Sequence, residues 1–342
     1  MTTVGIVANP AAGRDIRRLV AGASVSGHAE KAGMVFRVLA GLGAAGVTRA
    51  LMMPAPGGLS ATLHRQLRAH AAGQGHETAP AALEELPMRL DGTAADSIRA
   101  VEAMRRAGAA AIVVLGGDGT HRVVAKACAD VPVCALSTGT NNVFPEMREA
   151  TVAGLATGLV ATGRGGPGAL RRDAALRVEV DCAEPDLALV DVAASREPFI
   201  GARALWRPGG ISDLLVTFAN PAAVGLSAVA GMVSPLERGG GRGLHVRLAE
   251  APEAAAITVQ VPLAPGLVVP VGVAAWRVLA TGEQVDLPAA GGSLALDGER
   301  EIERRPGARA TVRLVAGPLT IDVDAVMRHA ATKGLTRLPP RV

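Results

Sequence analysis

The sequence predicts an α/β domain built on a doubly wound parallel sheet, followed by an all-β, sandwich-like second domain. Its 342 residues suit two domains of about 150 residues each. Short β-branched runs alternate with helical patterns in the first half, whereas after about Gly163 short strands follow one another with only turns between them. We expect the α/β domain to span 1–155, the β-rich domain 156–321, and segment 322–342 to pack back on the first domain.

The elements of the first half follow from local patterns. Strands are predicted at 4–8, 49–53, 88–90, 111–115 and 133–136. Helices are predicted at 29–42, 59–70 and 93–106, the last with Thr93 at its N-cap. The run 111–115 is entirely apolar, which is typical of a parallel strand buried on both faces.

The second half reads as short strands at 177–180, 187–193, 214–218, 245–248, 257–261, 293–296 and 311–315, with a helix at 324–333. The stretch 254–276 carries no formal charge, but Pro262, Pro265 and Pro270 interrupt it. Alternating apolar residues from Ile257 to Val261 favour a buried sheet over a membrane span.

Composition excludes several classes of protein. Hydrophobic residues make up 49% of the chain, aromatic residues 2%, tyrosine is absent, and the net charge is +4. Nucleic-acid binding favours a concentrated basic face with stacking aromatics, so we expect neither a nucleic-acid nor a membrane partner. The start of the chain lacks the pattern of a signal peptide, which favours a cytoplasmic location. Cys128, Cys134 and Cys182 show no zinc spacing and are interpreted as reduced and structural.

One glycine pattern and one histidine pattern are interpreted as having no binding function. Gly41–Gly46 spells GxGxxG, but it closes a predicted helix instead of opening one, so a dinucleotide fingerprint is rejected. His64, His70 and His76 lie six residues apart, a spacing that suits neither one helix face nor a strand, and we expect no metal there.

The functional signal is GGDGT at 116–120, directly after the apolar strand and at the start of a helix. Glycines allow close backbone approach to a polyphosphate, and a helix N-terminus favours an anion. Asp118 places a carboxylate where it could hold a metal ion or a hydroxyl.

Two further loops follow predicted strands, NPAAG at 9–13 and STGTNN at 137–142. In an open parallel sheet, loops at the carboxyl ends of strands share one crevice, where ligands bind. Arg14, Arg122 and Arg148 flank these loops and could hold phosphates.

These three loops, followed by a β-rich half with Asp297-Gly298-Glu299, resemble the NAD kinase / diacylglycerol kinase superfamily. Within it, the run from GGDGTHR to STGTNNVFPEMREAT is similar to the NAD-kinase-like acetoin catabolism protein X family. The resemblance implies a nucleotide-binding α/β domain, a β-sandwich domain, and an active site between them. It also implies a homo-oligomer, either a dimer or a tetramer.

The resemblance further implies an ATP- and Mg²⁺-dependent phosphotransferase, with NAD as the named candidate acceptor. Asp118 and Glu299 are then the catalytic carboxylates, and Asp118 with Asp297 would hold the metal. The residues implied to bind the nucleotide are Asn9, Pro10, Gly13, Arg14, Gly116, Gly117, Gly119, Thr120, Arg122, Thr138, Gly139, Thr140, Asn141, Asn142 and Asp191.

The chain departs from the superfamily patterns at informative positions. Val143 stands where lipid kinases carry a metal-linked aspartate, Val190-Asp191 replaces the Asn-led acidic pair of NAD kinases, and no tyrosine is present to stack on adenine. Two alternatives therefore remain open: a kinase of a small metabolite linked to acetoin use, and a nucleotide-binding sensor or accessory protein without catalysis.

Overall fold

A computed structural model describes residues 1–9, 27–55, 57–73, 79–139, 142–181, 183–197 and 209–337. Its first part is a parallel sheet of β1 (Thr3–Ala8), β2 (Arg49–Met52), β3 (Ala82–Glu85), β4 (Ala111–Gly116) and β5 (Val133–Ser137). These strands lie in the order β3-β2-β1-β4-β5. The strand order therefore reverses between β1 and β4, and such a switch point forms a crevice at the carboxyl ends of the strands.

Helices cover both faces of this sheet. On one face lie α1 (His28–Ala44), α2 (Leu59–Ala72) and α5 (Ala150–Ala161), and on the other α3 (Ala94–Arg106) and α4 (Asp118–Ala125). The α1 residue Val35 packs in one core with Ile6, whereas the α3 residue Val101 packs with Val114 on the opposite face. The predicted doubly wound α/β arrangement is confirmed.

The third strand is an exception to the sequence prediction. It occupies Ala82–Glu85, whereas a strand was predicted at 88–90. The strand lies at the sheet edge and is mostly exposed, so it lacks the apolar pattern that identifies buried strands. Met88 and Leu90 instead pack, half-buried, against the core beneath α3.

The GxGxxG segment ends α1, as predicted. The helix stops at Ala44, and Gly46 adopts a left-handed φ of +82°. A Cβ on Gly41 would collide with the backbone oxygen of Thr151 in α5. The first glycine therefore allows two helices to approach closely.

Two long strands extend the parallel sheet into the second part of the chain. Strand β6 (Leu170–Val180) pairs antiparallel with β16 (Ala310–Ile321), and β16 runs parallel to β5 through Thr320 and Val133. Strands β7 (Asp186–Ala188) and β13 (Gln284–Leu287) join the outer sides of β6 and β16. One continuous sheet thus connects the two parts of the molecule.

A second, antiparallel sheet packs on this extension. It contains β8 (Asp191–Ser195), β9 (Ile211–Val216), β10 (Arg242–Leu248), β11 (Ile257–Ala264), β12 (Leu267–Ala280), β14 (Gly292–Leu296) and β15 (Glu299–Arg304). Leu176 and Leu314 of the first sheet meet Leu215 and Leu294 of the second in a common core. The other face of the second sheet is covered by α6 (Ser227–Val233), a helix that the sequence analysis did not predict.

The first part of the molecule contains helices that precede and follow the β-rich part in the sequence. Helix α5 continues through residue 155 to Ala161, so the expected boundary at 155 falls inside a helix. Helix α7 (Val323–Lys333) follows β16 and buries Val326 and Ala330 in the core shared by α1 and α5.

The uncharged stretch 254–276 contributes to the hairpin of β11 and β12, in agreement with the predicted sheet. Over the residues described, no helix combines the length and apolarity that a membrane crossing requires. Cys128 and Cys134 are buried free thiols, and burial raises the pKa of each to about 11. Cys182 and His76 lie outside the described residues.

Candidate functional site

Residues that directly follow β1 and β4 lie together with residues after β5 beside the switch point of the sheet. The side-chain amide of Asn9, after β1, donates to Thr120 Oγ1 over 3.0 Å. Asp118, after β4, accepts hydrogen bonds from the backbone after β5. The structure therefore brings Asn9, the GGDGT turn and the described residues of the loop after β5 together. Pro10, Gly13, Arg14, Thr140 and Asn141 lie outside the described residues.

The GGDGT turn combines two crowded glycines with one open glycine. A Cβ on Gly116 would lie 2.6 Å from Thr120 Cβ, and one on Gly117 would lie 2.8 Å from Asn142 Oδ1. Among the described residues, a Cβ on Gly119 would meet no heavy atom within 4 Å. Because Asp118 and Gly119 begin α4, their N–H groups lie at the helix N-terminus, where anions are favoured.

Asp118 ties this turn to the loop after β5. Its Oδ1 accepts from the backbone N–H of Val143 at 3.0 Å and of Phe144 at 2.8 Å, and Oδ2 lies 3.1 Å from Val143 N. The side chain is largely buried. Asp118 thus positions the neighbouring loop, and its predicted catalytic role stays a prediction.

The loop after β5 is held by its own side chains. Asn142 donates to Ser137 Oγ at 2.7 Å and to Gly139 O at 3.2 Å, and the Ser137 hydroxyl also donates to Gly139 O. Thr138 is buried, and its N–H lies 3.4 Å from Gly116 O. The described residues of this loop are therefore tied to one another and to the GGDGT turn.

The second part of the molecule contributes Asp191 and the turn between β14 and β15. Asp297 has a left-handed φ of +52°, which is costly for a residue with a Cβ. Its Oδ1 accepts from the N–H groups of Leu189 at 2.9 Å, Val190 at 2.7 Å and Asp191 at 3.3 Å. Asp191 Oδ1 in turn accepts from Gly298 N at 3.2 Å. The Asp297 side chain therefore holds the backbone of Asp191, and the Asp191 side chain holds that of Gly298.

Arg122 of α4 connects the two parts electrostatically. Its Nε lies 3.8 Å from Asp297 Oδ2, and its Nη1 lies 3.7 Å from Asp186 Oδ2. Lys126, one turn further along α4, lies 2.5 Å from Asp186 Oδ1. Burial raises the pKa of Asp297 well above its usual range, and the charges of Asp118 and Asp191 add to this shift while Arg122 opposes it. Glu299 opens β15 and is half-buried.

Asp118 and Asp297 were predicted to hold Mg²⁺, and this role stays a prediction. In the structure the oxygens of both side chains accept backbone N–H groups. Across the described part of the chain, no group of three or more His, Cys, Asp or Glu side chains is placed to hold a metal.

Several residues that shape the site were not predicted from the sequence. Lys31 of α1 is almost fully buried, and its ammonium donates to Asn9 O at 3.2 Å. A lysine within an apolar helical stripe was the available signal. Arg238 donates to Phe144 O at 2.6 Å and pairs with Asp173. No local pattern could have linked Arg238 to a loop that lies 94 residues earlier.

Fold and site together define a two-part protein whose first part has the NAD kinase fold. Residues 4–164 match the ATP-NAD kinase N-terminal domain, and residues 174–317 match the acetoin catabolism protein X C-terminal domain. The chain belongs to the acetoin catabolism protein X family, because it is 44% identical to Acetoin catabolism protein X of Cupriavidus necator over 99% of this chain and 95% of that protein.

A solved structure of a candidate diacylglycerol kinase from Bacillus anthracis covers 94% of this chain and 97% of its own, at a TM-score of 0.45 and 11% identity.

Proposed function

We propose that this protein transfers the γ-phosphoryl group of ATP to a hydroxyl group of a small molecule, with NAD as the first acceptor to test. The observation that carries the proposal is that Asn9, the GGDGT turn and the backbone at Val143 and Phe144 lie together at the switch point. A helix N-terminus with a glycine in its first turn, as α4 has at Gly119, favours an anion such as a phosphate chain. The kinase-type N-terminal domain supports the same conclusion.

Phosphoryl transfer depends mainly on positioning and charge neutralisation. In the proposed reaction the acceptor oxygen forms a bond to the γ-phosphorus, the bond from the γ-phosphorus to the bridging oxygen breaks, and ADP leaves. The hydroxyl proton passes to a carboxylate, for which Asp118 and Glu299 are the candidates. Arg122 supplies positive charge at the boundary of the two parts. Mg²⁺ enters the assay as a companion of ATP, and no step is assigned to it.

The first experiment combines the protein, ATP, Mg²⁺ and NAD and measures NADP. Formation of NADP supports NAD as the acceptor. If no NADP forms, ATP consumption is measured across a panel of small hydroxylated metabolites that includes acetoin and related diols, since the relative's name points to acetoin catabolism. ATP consumption with one of these compounds supports a metabolite kinase.

Two substitutions at Asp118 separate catalysis from loop support. In Asp118→Asn, one oxygen remains and can still accept from both Val143 N and Phe144 N, so the loop stays in place while the negative charge is lost. Asp118→Ala removes both. If Asp118 is the base, each variant loses at least about 100-fold in turnover. Full turnover in Asp118→Asn would reject the assignment. Glu102→Gln, on the exposed face of α3, is the matched control.

A second candidate function follows from the same carboxylate. Because the oxygens of Asp118 already accept backbone N–H groups, the site could bind a nucleotide without chemistry, as a sensor would. Calorimetry with ATP and ADP distinguishes the two: binding with no ATP consumption across the acceptor panel supports the sensor.

A further inference from the structure

Arg238 lies between α6 and β10, and its guanidinium is inserted between the two parts of the molecule. Its Nε and Nη2 donate to the two carboxylate oxygens of Asp173 over 3.0 and 2.7 Å, a bidentate pair. Its Nη1 donates to Phe144 O over 2.6 Å. The side chain is 14% exposed, so these charge-assisted bonds are well shielded from water.

Phe144 is also the residue that Asp118 holds. Asp118 Oδ1 accepts from Phe144 N at 2.8 Å, while Arg238 binds the carbonyl of the same residue. The position of this backbone segment is therefore set from two sides, once by the GGDGT turn and once by the β-rich part.

A second route passes through aromatic rings. The guanidinium carbon of Arg238 lies 4.0 Å from the Phe144 ring centroid, and the Phe144 and His121 rings lie 5.8 Å apart. His121 Nδ1 is 2.9 Å from Gly117 O, so this nitrogen carries the proton and donates. These contacts connect Arg238 to the backbone of the GGDGT turn.

The partner of Arg238, Asp173, is itself held in place by further hydrogen bonds. Asp173 on β6 is buried and also accepts from Arg171 Nε at 2.9 Å and from Thr320 Oγ1 of β16 at 2.8 Å. Gly239 has a φ of +83°, and a Cβ there would collide with the Arg171 side chain. The chain around Arg238 thus packs directly on the two strands that continue the parallel sheet.

We infer that Arg238 is a positioning residue: from the β-rich part it fixes Phe144, and through Phe144 it aligns the Asp118 carboxylate and the Gly117 turn. The functional consequence rests on the proposed phosphotransferase activity, because only that activity makes the alignment of Asp118 matter for turnover. The positioning itself is testable without a substrate.

The first arm measures amide hydrogen exchange in the full-length protein without ligand. Arg238→Met keeps the length of the side chain but loses every hydrogen bond, and we expect exchange at the Val143 and Phe144 amides to rise at least tenfold. Arg238→Lys can keep one bond but not the bidentate pair together with the bond to Phe144 O, so an intermediate rise is expected. This conservative variant decides the question if the Met variant fails to fold.

Arg148→Met is the matched control. Arg148 lies in the same loop and forms a bidentate pair with Asp324 of α7, but it does not contact Phe144 or Asp118 in the described bonds. Exchange at Val143 and Phe144 should change less than twofold in this variant. Unchanged exchange at these two amides in folded Arg238→Lys and Arg238→Met would overturn the inference, as would an equal rise in Arg148→Met.

The second arm measures phosphoryl transfer with the acceptor found for the wild type. Arg238→Lys should lower kcat at least tenfold while KM for ATP changes less than threefold, because alignment of Asp118 affects the reacting state and not the binding of ATP. A raised KM with unchanged kcat would overturn the positioning role. If the wild type turns over no acceptor, the proposed function fails, while the exchange arm still decides the positioning.

Discussion

Asp118 and Asp297, one in each part of the molecule, do the same physical work in different surroundings. Asp118 begins α4 and holds the backbone of Val143 and Phe144. Asp297 lies in the turn between β14 and β15 and holds the backbone from Leu189 to Asp191. In each case a carboxylate from one loop supplies the acceptors for N–H groups of another.

The surroundings then separate the two residues. Asp118 lies at a helix N-terminus, next to Gly119. Asp297 instead has a left-handed φ, and its side chain is 1% exposed and faces Arg122. Asp118 therefore lies beside the turn that we propose binds a ligand, whereas Asp297 supports the loops from the interior. An aspartate in a sequence motif can thus serve to hold a neighbouring loop in place, and its surroundings determine whether it does only that.

The largest expected effect is on stability at Asp297. Asp297→Ala leaves three buried N–H groups and Arg122 without this carboxylate, and we expect it to lower the free energy of unfolding by about 3–5 kcal/mol. Asp118→Ala removes the acceptor of two N–H groups and should cost about 1–3 kcal/mol. Urea denaturation measures both.

Asp297→Asn is the control for this pair of variants. It keeps the oxygen that accepts the three N–H groups, and asparagine tolerates a left-handed φ, so most of the stability should return. If Asp297→Ala lowers the free energy of unfolding no more than Asp118→Ala does, the contrast drawn between the surroundings of the two aspartates is wrong.

The next effect concerns His121 and acidic pH. Burial lowers the pKa of His121 to about 4, against 6.5 in the unfolded chain. Between these values the unfolded state binds more protons, so stability falls as the pH is lowered through this window, by about 3 kcal/mol in total. His121→Asn can still donate to Gly117 O but does not titrate. Unfolding in urea at pH 7.5 and pH 4 should show a smaller loss in the variant, and equal losses would contradict a buried neutral imidazole.

The smallest effects test the GGDGT turn itself. Gly116→Ala would place a Cβ 2.6 Å from Thr120 Cβ and should destabilise the fold by about 1–3 kcal/mol. In Gly119→Ala the new Cβ meets no neighbour within the part of the chain that the structure describes, and the residue gains helix propensity, so the unfolding free energy should stay the same or rise by up to about 1 kcal/mol.

The Gly119 substitution should also affect the affinity for ATP. We expect the Cβ in Gly119→Ala to weaken ATP binding at least tenfold in calorimetry, because it fills the space that a phosphate would use. Unchanged affinity in this variant would place the phosphates elsewhere.

Much of the fold could be predicted from the sequence, and the reasons are local. The buried runs that became β1, β4 and β5 are continuous and apolar, so their type and their parallel arrangement follow from composition and spacing. Strand β3 could not be placed from the sequence, because an exposed edge strand lacks the apolar pattern by which buried strands are predicted. Helix α6 was missed because its seven residues are too few for a clear period.

The candidate site divides in the same way. The three loops after β1, β4 and β5 were predicted to share a crevice, because parallel strands present their carboxyl ends at one edge. The partners of the side chains were not predictable: Asp118 binds N–H groups 25 and 26 residues away, and Asp297 binds N–H groups more than 100 residues away. Hydrogen bonds over such separations depend on how the two parts pack.

The sequence by itself determined the two-part architecture, the doubly wound sheet and the position of the GGDGT turn, since turn chemistry and hydrophobic periodicity act over a few neighbouring residues. Only the tertiary structure decided that Asp118 and Asp297 serve as acceptors for distant loops, that Arg122 lies between the two parts, and that Arg238 reaches Phe144. The physical reason is burial. Once packing removes water, every polar group needs a partner, and the packed fold determines which partner is within reach.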